Sequence, residues 1–92
     1  MTDQKAVRLT ADATYQDVRT IDEALVNLLA DAGDIDETTI HGIELAVHEV
    51  ATNIVDHAYP EHQNGRIEAS FTLSGRQKGT QRQLMVELSD TG

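Results

Sequence analysis

Apolar residues recur along this chain with two periods: two residues, typical of strands, and about 3.6 residues, typical of helices. The two-residue period covers three segments: Val7, Leu9 and Ala11; Ile67, Ala69, Phe71 and Leu73; and Leu84, Val86 and Leu88. The second and third segments are separated by a polar, glycine-containing stretch from Ser74 to Gln81, which is typical of a turn. The pattern therefore predicts an N-terminal strand and a later antiparallel hairpin.

Two longer segments carry apolar residues at the helical period. The first begins at Thr14, which forms an N-cap pattern with Asp17, and stops at Gly33. The second is capped by Asp36 and ends before Pro60. Their apolar stripes are Val18, Ile21, Leu25, Leu28 and Leu29 in the first, and Ile40, Ile43, Val47, Val50 and Ile54 in the second. In the second helix we expect Val50 to face the centre of the core.

The order strand, helix, helix, hairpin predicts one α+β domain. Each element has a single apolar face, so we expect a two-layer sandwich with both helices on one side of a mixed, mainly antiparallel sheet. A length of 92 residues allows one domain at most, and 39% hydrophobic residues are ordinary for a globular protein.

Charge and composition exclude several classes of function. The chain has a net charge of -9, which disfavours binding to nucleic acid or to anionic lipid. Its longest apolar runs, such as Ala24-Leu25-Val26, are far shorter than the roughly 20 residues that cross a bilayer. The chain has no cysteine and no secretory signal pattern, so we expect it in the cytoplasm.

Three polar residues on the second helix form a candidate site. Glu49, Asn53 and His57 are spaced i, i+4, i+8 and therefore stack along one face of the helix. On a helical wheel Asn53 and His57 lie within about 60° of Val50, and Glu49 lies about 100° from it. The polar column therefore borders the apolar stripe. The alternative is that Asn53 and His57 only satisfy backbone groups at the boundary between layers.

Asp90 is a second candidate, at the end of the last strand. Alternation places residues 84, 86, 88 and 90 on the same face, so Asp90 is expected to point inward and to lose part of its hydration. The alternative is that the strand ends or bulges at Ser89, which would leave Asp90 as a turn residue.

These residues carry a resemblance to a known family. The segment from His48 to Tyr59, HEVATNIVDHAY, resembles the N box of the histidine-kinase-like ATPase superfamily, in the form found in anti-sigma-factor serine kinases. The segment from Val86 to Gly92, VELSDTG, resembles its Asp-x-Gly box. The resemblance identifies residues 1–92 as the N-terminal part of a single such domain, ending before the family's ATP lid and second glycine-rich box.

The resemblance implies a role for each candidate residue. Glu49 would be the general base, and Asn53 would hold Mg²⁺ bridging the phosphates of ATP. Asp90 would accept a hydrogen bond from the adenine amino group, and Gly92 would let the backbone approach the base. His57 occupies a position that the family also fills with histidine, near the phosphate end of the nucleotide.

The implied function is that of an ATP-dependent serine/threonine kinase acting as an anti-sigma factor. Its partners would be a sigma factor, an anti-anti-sigma protein that it phosphorylates, and a second copy in a homodimer. Without the lid, the 92-residue chain is expected to bind ATP far more weakly than an extended version. It is also expected to self-associate or to depend on a partner for stability, and the sequence does not decide whether it has kinase activity. Two alternatives remain: the ATP-binding domain of a sensor histidine kinase, disfavoured by a start at Met1 without a sensor segment, and a non-catalytic protein-binding module.

Other residues have competing interpretations. His48-Glu49 begins like a zinc protease motif, but Thr52 stands where the second histidine is needed. We therefore expect His48 to form a solvated pair with Glu44, four residues earlier. Arg19 is either an anchor for a protein partner or half of an intrahelical pair with Asp22 or Glu23. In the resembling family the first helix contributes to partner contacts, which favours the anchor.

Overall fold

The computed structural model describes residues 4–58, 65–75 and 82–90, which form three strands and two helices. In chain order these are β1 (Lys5–Asp12), α1 (Tyr15–Ala32), α2 (Glu37–Ala58), β2 (Arg66–Leu73) and β3 (Leu84–Asp90). Both helices pack on one face of the sheet. The two-layer α+β fold predicted from the sequence is therefore confirmed.

The three described strands form an antiparallel sheet in the order β1-β2-β3. Phe71 at the centre of β2 lies opposite Val7 of β1 and Val86 of β3. Directly opposed residues of an antiparallel pair share a face, so this register places the alternating apolar residues of all three strands toward the helices. The hairpin is confirmed, with Ser74 N–H donating to the Gln83 carbonyl at 2.9 Å, while residues 76–81 of its turn lie outside the described residues.

Helix α1 begins and ends at the residues that its sequence predicts. The Thr14 hydroxyl accepts a hydrogen bond from the Asp17 backbone N–H at 3.0 Å, which is an N-cap. Gly33 has a φ of 81°, the left-handed conformation that closes a helix and that glycine adopts without strain. The predicted stripe is buried: Val18, Ile21, Leu25, Leu28 and Leu29.

Helix α2 begins as predicted but faces the core with different residues. The Asp36 carboxylate accepts from the Thr39 backbone N–H at 2.7 Å, and this bond lowers the pKa of Asp36 below its ordinary value. The buried side chains of α2 are Val47, Ala51 and Val55, whereas Val50 is 50% exposed. The expectation that Val50 faces the core centre is therefore wrong, and the core direction lies about 100° away, at Ala51.

The small side chain of Ala51 makes this orientation hard to read from the sequence. Large apolar residues mark a stripe most clearly, whereas the fully buried Ala51 adds little to the pattern. Ile40, Ile43 and Ile54 are only partly buried and flank this core face. Helix α2 therefore carries more apolar surface than the core buries, and part of that surface is exposed to solvent.

One ion pair ties the hairpin to the connection between the helices. The Arg82 guanidinium donates through Nε to the Asp34 carboxylate at 3.0 Å and through another nitrogen to the Ser74 carbonyl at 2.9 Å. Both charged side chains are partly buried, at 20% exposure for Arg82 and 24% for Asp34. Neither described helix is long and apolar enough to cross a membrane.

Candidate functional site

An open apolar groove of about 520 Å³ runs between α2 and β3. Its lining residues are Ile43, Ala46, Val47, Val50, Val86 and Leu88. Val47 belongs to the core, whereas Val50 is half exposed on the wall of the groove. The direction that the sequence assigned to the core centre is therefore a cavity open to solvent.

The polar column of Glu49, Asn53 and His57 lies on the exposed face of α2 beside this groove. Asn53 and His57 lie within about 60° of the groove-lining Val50 around the helix, and Glu49 lies about 100° from it. Neither the Asn53 nor the His57 side chain hydrogen bonds to any of the residues described by the structure. Within the described part of the chain, they therefore satisfy no backbone group, and both residues are exposed.

Asp90 lies at the end of β3 in regular register. It pairs with Ile67, whose side chain is fully buried, so Asp90 has the parity of the inward face. The alternative in which the strand ends or bulges at Ser89 is wrong, since Ser89 pairs with Glu68 without interruption. Asp90 is nevertheless exposed, so the expectation that it loses part of its hydration is wrong.

The connectivity places Asp90 at the same end of the fold as His57. Helix α2 ends at Ala58, and β2 begins at Arg66 after a short connection. The partner of Asp90, Ile67, lies at that same start of β2. On β3, Asp90 follows the groove-lining residues Val86 and Leu88 and has the same parity as they do. Gly92 and Tyr59 lie outside the described residues.

A hydrogen bond between the helices was not predicted from the sequence. His48 Nδ1 lies 2.7 Å from Asp22 Oδ2, so the expected solvated pair of His48 with Glu44 is wrong. Glu44 instead lies 3.6 Å from His41, within α2. The detectable signal was Asp22 itself, a carboxylate four residues after Val18 and three before Leu25, on the apolar stripe of α1, where burial requires a partner.

A second hydrogen bond joins the helices near their other ends. The Tyr15 hydroxyl donates to the Asp56 carboxylate, and this bond raises the pKa of Tyr15 above its ordinary value. The carboxylate accepts best from the protonated phenol, so the bond is present below the pKa of Tyr15 and is lost as the pH rises through it. Together, the bonds at Tyr15 and Asp22 connect α1 to α2 along one side of the helical layer.

Arg19 is exposed on α1. Within the described ranges it forms no ion pair, and the Asp22 carboxylate offered as its intrahelical partner contacts His48 instead. The guanidinium therefore stays accessible to a partner.

Comparison with protein families assigns the chain to a family. The model of the histidine kinase-like ATPase domain matches residues 11–92, which include the polar column of α2 and Asp90. A search of curated proteins gives no match. The match covers nearly the whole chain, and a domain of this family binds ATP. The chain therefore belongs to the histidine kinase-like ATPase domain family.

Proposed function

We propose that this chain binds Mg-ATP along the groove between α2 and β3 and belongs to a serine/threonine kinase that acts as an anti-sigma factor. The observation that carries the proposal is the exposed column of Glu49, Asn53 and His57 on the helix that forms one wall of an apolar groove. Asp90 follows the groove-lining residues Val86 and Leu88 on the strand that forms the other wall. The groove volume falls within the roughly 300–1,000 Å³ of small-molecule sites. Val50, Val86 and Leu88 would contact the purine, whose faces are apolar.

The donors present fit a magnesium ion that is delivered with the nucleotide. Among the described residues, no group of three or more His, Cys, Asp or Glu side chains could hold a metal ion alone. Mg²⁺ commonly takes one or two protein oxygens and fills its other positions with water and phosphate, so the Asn53 amide oxygen suffices. The ion would neutralise charge on the phosphates. His57, one turn farther along α2, would lie near the same phosphates.

Glu49 would act as the general base. Its carboxylate lies one helical turn before Asn53 on the same face of α2. A base in that position accepts the proton of a serine hydroxyl as the γ-phosphoryl group is transferred. Asp90 would accept a hydrogen bond from the adenine amino group, and Gly92 would allow close approach of the backbone to the base.

Calorimetric titration with ATP, with and without Mg²⁺, tests the proposal. Asn53→Ala is expected to weaken Mg-ATP binding by about tenfold to a hundredfold, the loss of one charge-assisted contact, and to leave metal-free binding nearly unchanged. Asn27→Ala removes an equally exposed amide from α1 and serves as the matched control. A wild-type chain that binds no Mg-ATP would contradict the proposal and favour the non-catalytic module.

Asp90 is expected to select adenine over guanine. Asp90→Asn keeps a carbonyl acceptor, so it should weaken ATP binding less than Asp90→Ala does. Competition between ATP and GTP for the wild-type chain measures the same contact, because guanine presents a carbonyl where adenine presents its amino group. Asp31→Ala, an exposed aspartate at the end of α1, is the control. Equal affinities for ATP and GTP would show that Asp90 does not recognise the base.

We propose a second copy of the chain, a sigma factor and an anti-anti-sigma protein as partners, with Arg19 as an anchor for one of them. Arg19→Ala is then expected to weaken that association by roughly thirtyfold, as buried arginine contacts in interfaces do. Thermal stability should change little, since Arg19 is exposed. Sedimentation and pull-down with the partner measure both effects, and Arg8→Ala on the outer sheet face is the control. Unchanged association accompanied by a loss of stability would instead indicate an intrahelical role.

A further inference from the structure

The apolar face of α1 contains one carboxylate. Asp22 is only 8% exposed and lies among the buried residues Val18, Ile21 and Leu25. One of its oxygens contacts His48 Nδ1 at 2.7 Å, and the other is buried without a hydrogen-bond partner among the described residues. Burial of a half-satisfied carboxylate costs free energy, and apolar residues of similar volume often give equal or greater stability. The pair therefore does more to fix the relative orientation of the two helices than to raise the free energy of unfolding.

Helix α2 is held unequally on its two sides. Toward the core it packs through Val47, Ala51 and Val55, and on the flank of Val50 it borders the open groove. On the opposite flank it bonds to α1 through His48 and, near its C-terminal end, through Asp56. A row of small and β-branched side chains permits some rotation about the helix axis, whereas a hydrogen bond of fixed length opposes it.

We propose that the Asp22–His48 pair sets the rotation of α2 about its axis and so positions Glu49 and Asn53 relative to the groove. Side chains on a helix extend about 5–6 Å from its axis, so a rotation of about 15° moves their ends by about 1.5 Å. Displacements of that size are enough to degrade binding and catalysis. Asp22 and His48 are positioning residues here, and the functional part of this inference rests on the proposed function.

The test uses variants that separate an effect on the orientation of α2 from an effect on the stability of the fold. Asp22→Leu with His48→Leu removes the bond without leaving an unpaired buried charge. The double variant is expected to keep or exceed the wild-type urea midpoint while its Mg-ATP affinity falls by about tenfold. His48→Asn keeps an N–H donor for Asp22 and should retain most of the affinity. His41→Leu, which alters a histidine of α2 that pairs with Glu44 of the same helix, is the control.

Residual dipolar couplings of backbone amides, recorded without nucleotide, measure the rotation directly. The couplings of α2 are expected to change relative to those of α1 in the double variant and to stay near wild type in His48→Asn. Unchanged couplings in the double variant would overturn the inference whatever the ATP affinity does. A wild-type chain that binds no Mg-ATP would overturn the proposed function instead, and the couplings would still decide whether the pair sets the rotation.

Discussion

In a protein that continues through the family's ATP lid, Glu49→Gln is expected to slow phosphoryl transfer to a serine by about 10²- to 10⁴-fold, the range for loss of a general base, with Mg-ATP affinity nearly unchanged. The amide has the shape of the carboxylate but cannot take the serine proton. Glu49 is exposed beside the groove, so its replacement does not disturb the core. Single-turnover transfer of labelled γ-phosphate to the anti-anti-sigma protein, together with calorimetry, separates the two effects.

Glu44→Gln provides the matched control for this prediction. It is the same chemical change on the same helix, but Glu44 pairs with His41 on another face of α2. Its rate should stay within about twofold of wild type, since surface substitutions away from a site have small effects. Full activity of Glu49→Gln would show that the base is another residue, and an equal loss of ATP affinity would show that Glu49 acts in binding.

The fold was predictable from the sequence because its elements are marked by local signals. Thr14 and Asp36 cap the helices, and Gly33 closes the first one in the left-handed conformation. Such signals depend on residues within one turn of each other, so a single sequence contains all the information they need. The alternation around Phe71 likewise determined which face of the sheet is buried.

Local signals in the sequence did not predict which face of α2 packs against the core. Val50 and Ala51 lie about 100° apart around the helix, and an apolar surface that includes both is compatible with either direction. Burial depends on what packs against the helix, and β3 leaves the Val50 flank open as a groove. The sequence therefore predicted which residues form the polar column, but described the neighbouring apolar surface as core where the structure has a cavity.

Local sequence patterns also did not predict polar contacts between residues that are far apart along the chain. Asp22 and His48 are 26 residues apart, and Asp34 and Arg82 are 48 apart. Helical spacing offers each charged residue a partner three or four positions away, and this is why His48 was assigned to Glu44. A buried carboxylate on an apolar stripe is the one sequence feature that indicates such a contact, although it does not identify the partner.

Phe71→Ala is expected to destabilise the chain by about 3–5 kcal/mol, the range for removing a buried aromatic ring. Phe71 is fully buried on the central strand, opposite Val7 and Val86, in the core cluster that also contains residues of both helices. Small domains are stable by roughly 5–15 kcal/mol in total, so this loss is a large share of the free energy of unfolding. Each kcal/mol lost should lower the thermal unfolding midpoint by about 4–8 °C. Thermal and urea unfolding followed by circular dichroism measure it.

Met85→Ala is the matched control, because Met85 is a large apolar residue of β3 that is 62% exposed on the outer sheet face. Its free energy of unfolding should stay within about 0.5 kcal/mol of wild type. Equal midpoints for the two variants would mean that Phe71 is not the centre of the core. A large loss for Met85→Ala alone would mean that the outer face of the sheet is covered in solution, since only a covered side chain loses stabilising contacts when it is truncated.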